Sequence, residues 1–372
     1  MLLVSEPNIG AQEEVVLAQV VRSNWITMGD RVRDFERRFA AQHGASDAVA
    51  VASCTAGLHL ALAGLGIGPG DEVLVPSLSF VATANCALYV GAVPVFVDID
   101  SIDRPLISVA DAARRCTSRT KAVVVMHYGG YLVDQDAWRA FANSRGLLLI
   151  EDAAHATGAT GAGLIGDAAA FSFYGNKNMT TAEGGMVTAR KPEILERIRR
   201  MRGHGMTSGT RDRLDARVPT YDVTSLGWNY RMDELRAAIG LVQLRNLNRW
   251  NQQRAELTRT YRDALAERCR KVLVPFSNAG VLSVHHILPV VLPSGVNRKD
   301  IMGRMHGDNV QTTVHYPPIH ALSFYRGMGS MVHLPETEEF AQRELTLPLH
   351  PKMDETDVTR VVSALAAALS HQ

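Results

Sequence analysis

Between residues 30 and 190 the chain alternates short, almost wholly apolar runs with longer stretches whose apolar residues recur at helical spacing. The runs cover 48–52, 72–75, 94–97, 122–126 and 147–150. Runs of this kind, with little polar alternation, predict strands buried on both faces, as in a parallel sheet. The stretches at 31–43, 55–65, 82–91 and 134–145 predict the helices that cover such a sheet. Two further runs at 168–173 and 185–188 predict added strands, and an arm over 1–15 leads into a helix near 13–23. From 191 to 250 the pattern is largely helical, with Leu235, Ala238, Ile239 and Val242 on one face. The interval 203–220, rich in Gly, Thr and Arg, predicts a long functional loop. After 250 a second pattern predicts helices at 251–269, 298–309, 336–344 and 355–370, strands at 283–292 and 310–315, and a loop at 317–329. The expectation is an α/β protein: a large unit over 16–250 on a mostly parallel, helix-covered sheet, and a smaller C-terminal α/β unit over 251–372.

Composition changes this picture little. The 372 residues suit two or three units of about 150 residues, enough to bury a core without a disulfide or a structural metal. With 39 Lys and Arg against 38 Asp and Glu, the net charge of +1 lacks the basic surplus of a polyanion binder, so no nucleic-acid partner is expected. Cys54, Cys86, Cys116 and Cys269 show no paired metal or redox spacing, and reduced, packed thiols without a metal are expected. The opening MLLVSEPNIG lacks a basic stretch ahead of an apolar one, and no apolar run approaches the roughly 18 residues of a membrane span. The expected location is the cytoplasm, with no membrane partner.

Ligands of open parallel sheets bind beyond the carboxyl ends of the strands, so candidate chemistry lies just after each run. Ser53-Cys54-Thr55-Ala56-Gly57 follows the first run and opens a helix, where free N–H groups form an anion cradle or the serine simply caps the helix. Glu151-Asp152-Ala153-Ala154-His155 puts carboxylates at a strand end beside small residues, leaving room for a flat ligand; two capping acids are the alternative. Lys177 stands in the turn between two expected strands, where a solvated surface lysine is the usual outcome. Together, a phosphate cradle, a strand-end aspartate and a lysine make a pyridoxal phosphate constellation. The amine condenses with the aldehyde, and the carboxylate keeps the pyridine nitrogen protonated so that the ring draws electrons. Phe80, after the second run, is placed to cover the ring face.

The segments carrying this constellation resemble the DegT/DnrJ/EryC1/StrS family of sugar aminotransferases, which are fold type I pyridoxal phosphate enzymes. They run through nearly the whole chain: VASCTAGLHLAL, GDEVLVPSLSFVATANCALYVGAVPVFVDID, EDAAHATGA, FSFYGNKNMTTAEGGMV, GWNYRMDELRAAIGLVQL, HYPPIH and LPLHP. The resemblance implies that Lys177 is the Schiff-base lysine and proton shuttle, and that Asp152 is the partner of the pyridine nitrogen. It implies that His155 contacts the ring's hydroxyl side, that Phe80 stacks on the ring, and that Cys54, Thr55 and Ser172 contact the phosphate. Asn229 matches an asparagine that reaches the phosphate of a partner subunit, which implies a homodimer with composite sites. Two departures stand out: relatives carry glycine where this chain has Cys54, and TTGEGG where it has TTAEGG, which leaves the turn at Ala182 open.

Dehydratase relatives replace the lysine by histidine, so Lys177 favours transamination. The implied reaction moves an amino group from an amino acid, L-glutamate by resemblance, to a nucleotide-linked keto-sugar. The segment around Lys177 looks closest to perosamine synthase-like enzymes, which favours a 4-keto-6-deoxyhexose. A 3-keto-sugar or keto-cyclitol of antibiotic biosynthesis is the alternative acceptor, and a non-catalytic cofactor-binding regulator the alternative of another class. Arg231, His315 and His320 are candidate substrate contacts. Two histidines around Pro317 and Pro318 without nearby acids favour a pocket or packing role over a metal.

Overall fold

A computed structural model describes residues 1–217, 219–277, 280, 282–328 and 332–370. Positions 218 and 329, in the two expected loops, lie outside the described residues. The seven runs of the first half form one sheet: β1 (Val49–Val51), β2 (Glu72–Pro76), β3 (Val93–Val97), β4 (Thr120–Met126), β5 (Leu148–Asp152), β6 (Ala168–Ser172) and β7 (Gly185–Ala189). Their order is β1-β7-β6-β5-β4-β2-β3, and only β7 runs against its neighbours. Alternate residues face opposite sides. Val124, Ile150 and Ala170 pack with Leu58, Leu62 and Ile198 on one face, and Val123, Val125 and Leu149 pack with Trp138 and Phe141 on the other.

Local chemistry sets the helix that matters most. Ser53 caps the helix Cys54–Gly64 by accepting the Ala56 N–H at 3.1 Å. The helix start lies flat on the sheet because β7 begins with a glycine there: a Cβ on Gly185 would sit 2.7 Å from the Cys54 nitrogen. A side chain at that position would lift the cradle off the strands.

The structure departs from the sequence pattern at four points. The break at 250 does not interrupt the backbone, because one helix, Glu234–Arg268, runs through it for 35 residues. Its apolar partners do change along its length: Leu244 and Leu247 pack with Phe35, Phe39 and Phe171, whereas Leu257, Tyr261 and Leu265 pack with the C-terminal Val358 and Leu365. The expected strand at 310–315 forms only isolated bridges, Leu2 to Val310 and Thr313 to Thr346, because the chain turns away at Pro317 and Pro318. Its place beside β8 (Leu288–Val291) is taken by β9 (Glu344–Leu347), antiparallel to it and unforeseen in sequence. The arm is shorter than expected, since a helix already begins at Ala11, and the loop after 203 holds a helix at Thr210–Ala216. The arm ties the two halves together: Leu2 exchanges backbone hydrogen bonds with Asn309 and Gln311, while the Ser5 hydroxyl donates to the Asn176 carbonyl beside Lys177.

Candidate active site

Asp152 is the last residue of β5 and is almost wholly buried. Its Oδ2 accepts the Thr83 hydroxyl at 2.6 Å, and its Oδ1 accepts the Ala154 N–H at 3.1 Å. Thr83 is itself in contact with the Ser79 hydroxyl at 2.5 Å. Every one of these partners is neutral, and among the described residues no cation bonds the carboxylate. Burial therefore pushes Asp152 above the usual carboxylate range, with the Thr83 and Ala154 hydrogen bonds and the Lys177 charge pulling the other way. The neighbouring Glu151 does different work. Fully buried, it accepts the N–H groups of Gly163 and Gly166 and faces His127 Nε2 at 2.9 Å, clamping the loop after β5.

Lys177 closes a turn in which its N–H donates to the Tyr174 carbonyl at 3.0 Å. The side chain is half-buried, and its amine has no hydrogen-bond or ion-pair partner among the described residues. Loss of hydration brings the ammonium down to about 8, against the pull of Asp152. Ala182, in the departure from the family turn, takes a left-handed φ of 67° and donates its N–H to Thr180 Oγ1 at 2.9 Å. The turn thus keeps the backbone shape a glycine would allow.

At the cradle, the Cys54 thiol points to the Ala170 carbonyl at 3.6 Å, and burial keeps it protonated. That leaves its backbone N–H, with that of Thr55, free at the first turn of the helix. Ser172, at the end of β6, accepts the Tyr174 N–H at 3.4 Å and keeps its own proton to donate. Phe80 is 56% exposed, a large apolar ring left uncovered 6.1 Å from the ring of Tyr316. His155 is buried, with Nδ1 taking the Gly129 N–H at 3.2 Å and Nε2 facing the Tyr316 hydroxyl at 2.9 Å. Burial and the Lys177 charge hold it well below its ordinary pKa, so it is neutral.

The other candidates divide. His315 joins the group: its ring lies 6.3 Å from that of His155, and burial with the Lys177 charge brings its pKa to about 3. His320 does not, because Ser77 at 2.6 Å and Glu338 at 3.2 Å occupy both its nitrogens and make it a strut. Arg231 lines a separate cleft of about 440 Å³ with Met28, Arg202 and Gly203. Asn229 is exposed and pairs with Gly203. Sequence reasoning missed Thr83, His286 and Tyr316. The His286 ring lies 4.2 Å from that of His155, tilted at 48°, and no periodicity marks such contacts.

A ligand that fits this set must bring a cationic N–H to a buried carboxylate, a carbonyl to a free amine and an anion to a helix start, on a flat ring that Phe80 can cover. Pyridoxal 5'-phosphate has all four features, and the fold and site put the chain in the class of pyridoxal phosphate-dependent aminotransferases. Comparison with known proteins agrees. The family model of the DegT/DnrJ/EryC1/StrS aminotransferase family matches residues 7–366. The spore coat polysaccharide biosynthesis protein SpsC of Bacillus subtilis is 38% identical over 97% of this chain and 95% of its own. Among solved structures, the putative sugar aminotransferase Spr1654 of Streptococcus pneumoniae in its PLP form superposes with a TM-score of 0.91 at 26% identity, covering 99% of this chain and 98% of that one. DesI in the presence of its TDP-sugar product superposes at 0.88 and 33% identity, covering 98% of this chain and 92% of that one. The chain belongs to the DegT/DnrJ/EryC1/StrS family and is a pyridoxal phosphate-dependent sugar aminotransferase.

Among the described residues no cluster of three or more His, Cys, Asp or Glu could hold a metal, and no helix is long and apolar enough to cross a membrane.

Proposed function

We propose that the chain transfers the amino group of L-glutamate to a nucleotide-linked 4-keto-6-deoxyhexose, with Lys177 as the proton-moving amine and Asp152 as the anchor of the cofactor's ring nitrogen. The observation that supports the roles is that, among the described residues, no cation bonds the buried carboxylate of Asp152 and the amine of Lys177 has no hydrogen-bond or ion-pair partner. When bound, the cofactor supplies an electron sink for the carbon losing or gaining a proton. Lys177 Nζ, held near 8, has both its protonated and free forms populated near neutrality, which suits a group that takes a proton and returns it. Asp152 holds a positive charge at the ring nitrogen, Phe80 covers the ring and excludes water, and Thr55, Ser172 and the Cys54 N–H hold the phosphate.

The acceptor reading draws on DesI, with its TDP-sugar product, and on SpsC, of a polysaccharide pathway. Arg231, in a separate cleft and with no acidic partner among the described residues, serves across the homodimer as the basic contact for a diphosphate or a donor carboxylate at the partner's site. His315 is the pocket histidine on the acceptor's side. The enzyme acts in the cytoplasm as a homodimer in which Asn229 completes the partner's phosphate site. Exposed Val15, Val21, Ile26, Val223 and Leu226 suit an apolar contact between two copies. The test is incubation of the holoenzyme with L-glutamate and a panel of TDP-, UDP- and GDP-linked 4-keto and 3-keto sugars, together with keto-cyclitols. Mass spectrometry should find the amino product only from 4-keto-6-deoxyhexoses. Amination of a cyclitol or a 3-keto-sugar alone refutes the acceptor, and no 2-oxoglutarate from glutamate refutes the donor.

A further inference from the structure

The turn Tyr128–Gly130 brings a backbone N–H against His155. Gly129 has φ 66° and Gly130 φ 85°, and a Cβ on Gly130 would lie 2.8 Å from the His155 carbonyl, so the approach depends on glycine. The Gly129 N–H donates to His155 Nδ1 at 3.2 Å. A nitrogen that accepts carries no proton, so in neutral His155 the proton is on Nε2. The 2.9 Å contact between Nε2 and the Tyr316 hydroxyl therefore runs from histidine to tyrosine. The tyrosine oxygen accepts, and its own proton must go elsewhere.

No described residue takes it. His286, whose ring lies 4.2 Å from that of His155, has a buried Nε2 with no hydrogen-bond partner. The state of His286 is fixed from the other side. The carbonyls of Thr157 and Val284 orient the Asn251 and Asn178 amides, and Asn178 Oδ1 then accepts the His286 Nδ1–H at 2.8 Å. Nε2 is thus a bare acceptor, yet it makes no hydrogen bond with Tyr316. Tyr316 lies between His155 and Phe80, its ring 6.1 Å from the ring that covers the cofactor face. Beside His155 and Phe80 the geometry leaves the Tyr316 hydroxyl proton without an acceptor among the described residues, since His155 has already given its own.

We propose that Tyr316 donates a hydrogen bond to the phenolic oxygen of the bound pyridoxal ring, oriented for this by the Gly129–His155 pair. A donor there stabilises the ring oxygen as an anion, so the cofactor's visible absorbance band titrates at lower pH than it would without it. The inference rests on the cofactor alone, and failure of every keto-sugar in the amination panel would leave it standing.

The experiment is a spectrophotometric pH titration of purified holoenzyme, with bound cofactor quantified after release. Tyr316→Phe should raise the pH midpoint of the band by about one unit, a tenfold change, while the cofactor stays bound. Tyr316 replaced by 3-fluorotyrosine, a stronger donor of nearly the same shape, should lower the midpoint. It decides the matter where the phenylalanine variant fails to fold. Unchanged midpoints in both proteins overturn the proposal. So does an unchanged midpoint accompanied by a raised KM for the acceptor, which would assign the hydroxyl to substrate.

Discussion

Replacing Asp152 by asparagine removes a charge and little else. Asparagine can keep Oδ1 on the Ala154 N–H and turn Nδ2 toward Thr83, whose hydroxyl then hands its proton to Ser79. The apoprotein should therefore be at least as stable as before, because a buried carboxylate without a cation is unfavourable. The loss falls on the holoenzyme. A hydrogen bond to a charged group contributes about 1.5–3 kcal/mol, which is roughly 10- to 150-fold in cofactor Kd. At a fixed cofactor concentration well above Kd, the cofactor's contribution to stability falls by the same amount, and at roughly 1–2 °C per kcal/mol for a chain of this length the holo Tm drops by about 2–4 °C. The kcat should fall further, by about 10²–10³, the scale of losing one fixed electrostatic contact at a reacting centre. Cofactor titration by fluorescence, with thermal melts of both forms, measures each quantity. Wild-type cofactor affinity and kcat in Asp152→Asn, or collapse of the apoprotein alone, would refute the assignment.

Three more outcomes follow from the same geometry. An amine held near 8 is about one-tenth free at pH 7, so the apoprotein's rate of covalent cofactor capture should rise with pH through a midpoint near 8, whereas a midpoint near 10.5 would place Lys177 in open water. Glu344, fully buried against the His315 N–H and the Thr346 hydroxyl, is raised from 4.5 to about 8. Its contribution to stability is complete below pH 4.5 and is lost as the pH rises through about 8, so Glu344→Gln should flatten that part of the stability profile in denaturant titrations. Asn229→Ala and Lys177→Ala should each be inactive alone. Mixed together after subunit exchange they should recover about a quarter of wild-type activity, since about half the dimers are mixed and each has one intact site; no recovery would refute composite sites.

The parallel sheet was legible because buried strands leave unbroken apolar runs, and Ser53, Asp152 and Lys177 followed from reading the strand ends. β9 was not legible. Its sequence, Glu-Leu-Thr-Leu, looks like the end of a helix, and only pairing with β8 and the burial of Glu344 make it a strand. Helix periodicity also continues smoothly across 250, so the change of apolar partners between Leu247 and Leu257 left no mark in the local pattern. His320 and His315 have equal standing in the sequence. Only Ser77 and Glu338, far away along the chain, make one of them a strut. Tyr316 and His286 were missed for the same reason: their roles come from hydrogen bonds to residues more than a hundred positions away.

The claim on which the rest depends is that the amine of Lys177 carries the cofactor. Borohydride reduction of the holoenzyme followed by peptide mass mapping tests it directly. The account predicts one phosphopyridoxyl group, on the peptide that contains Lys177, and none on that peptide in Lys177→Ala. The label on another lysine, or no label on a protein that still binds the cofactor, would contradict it.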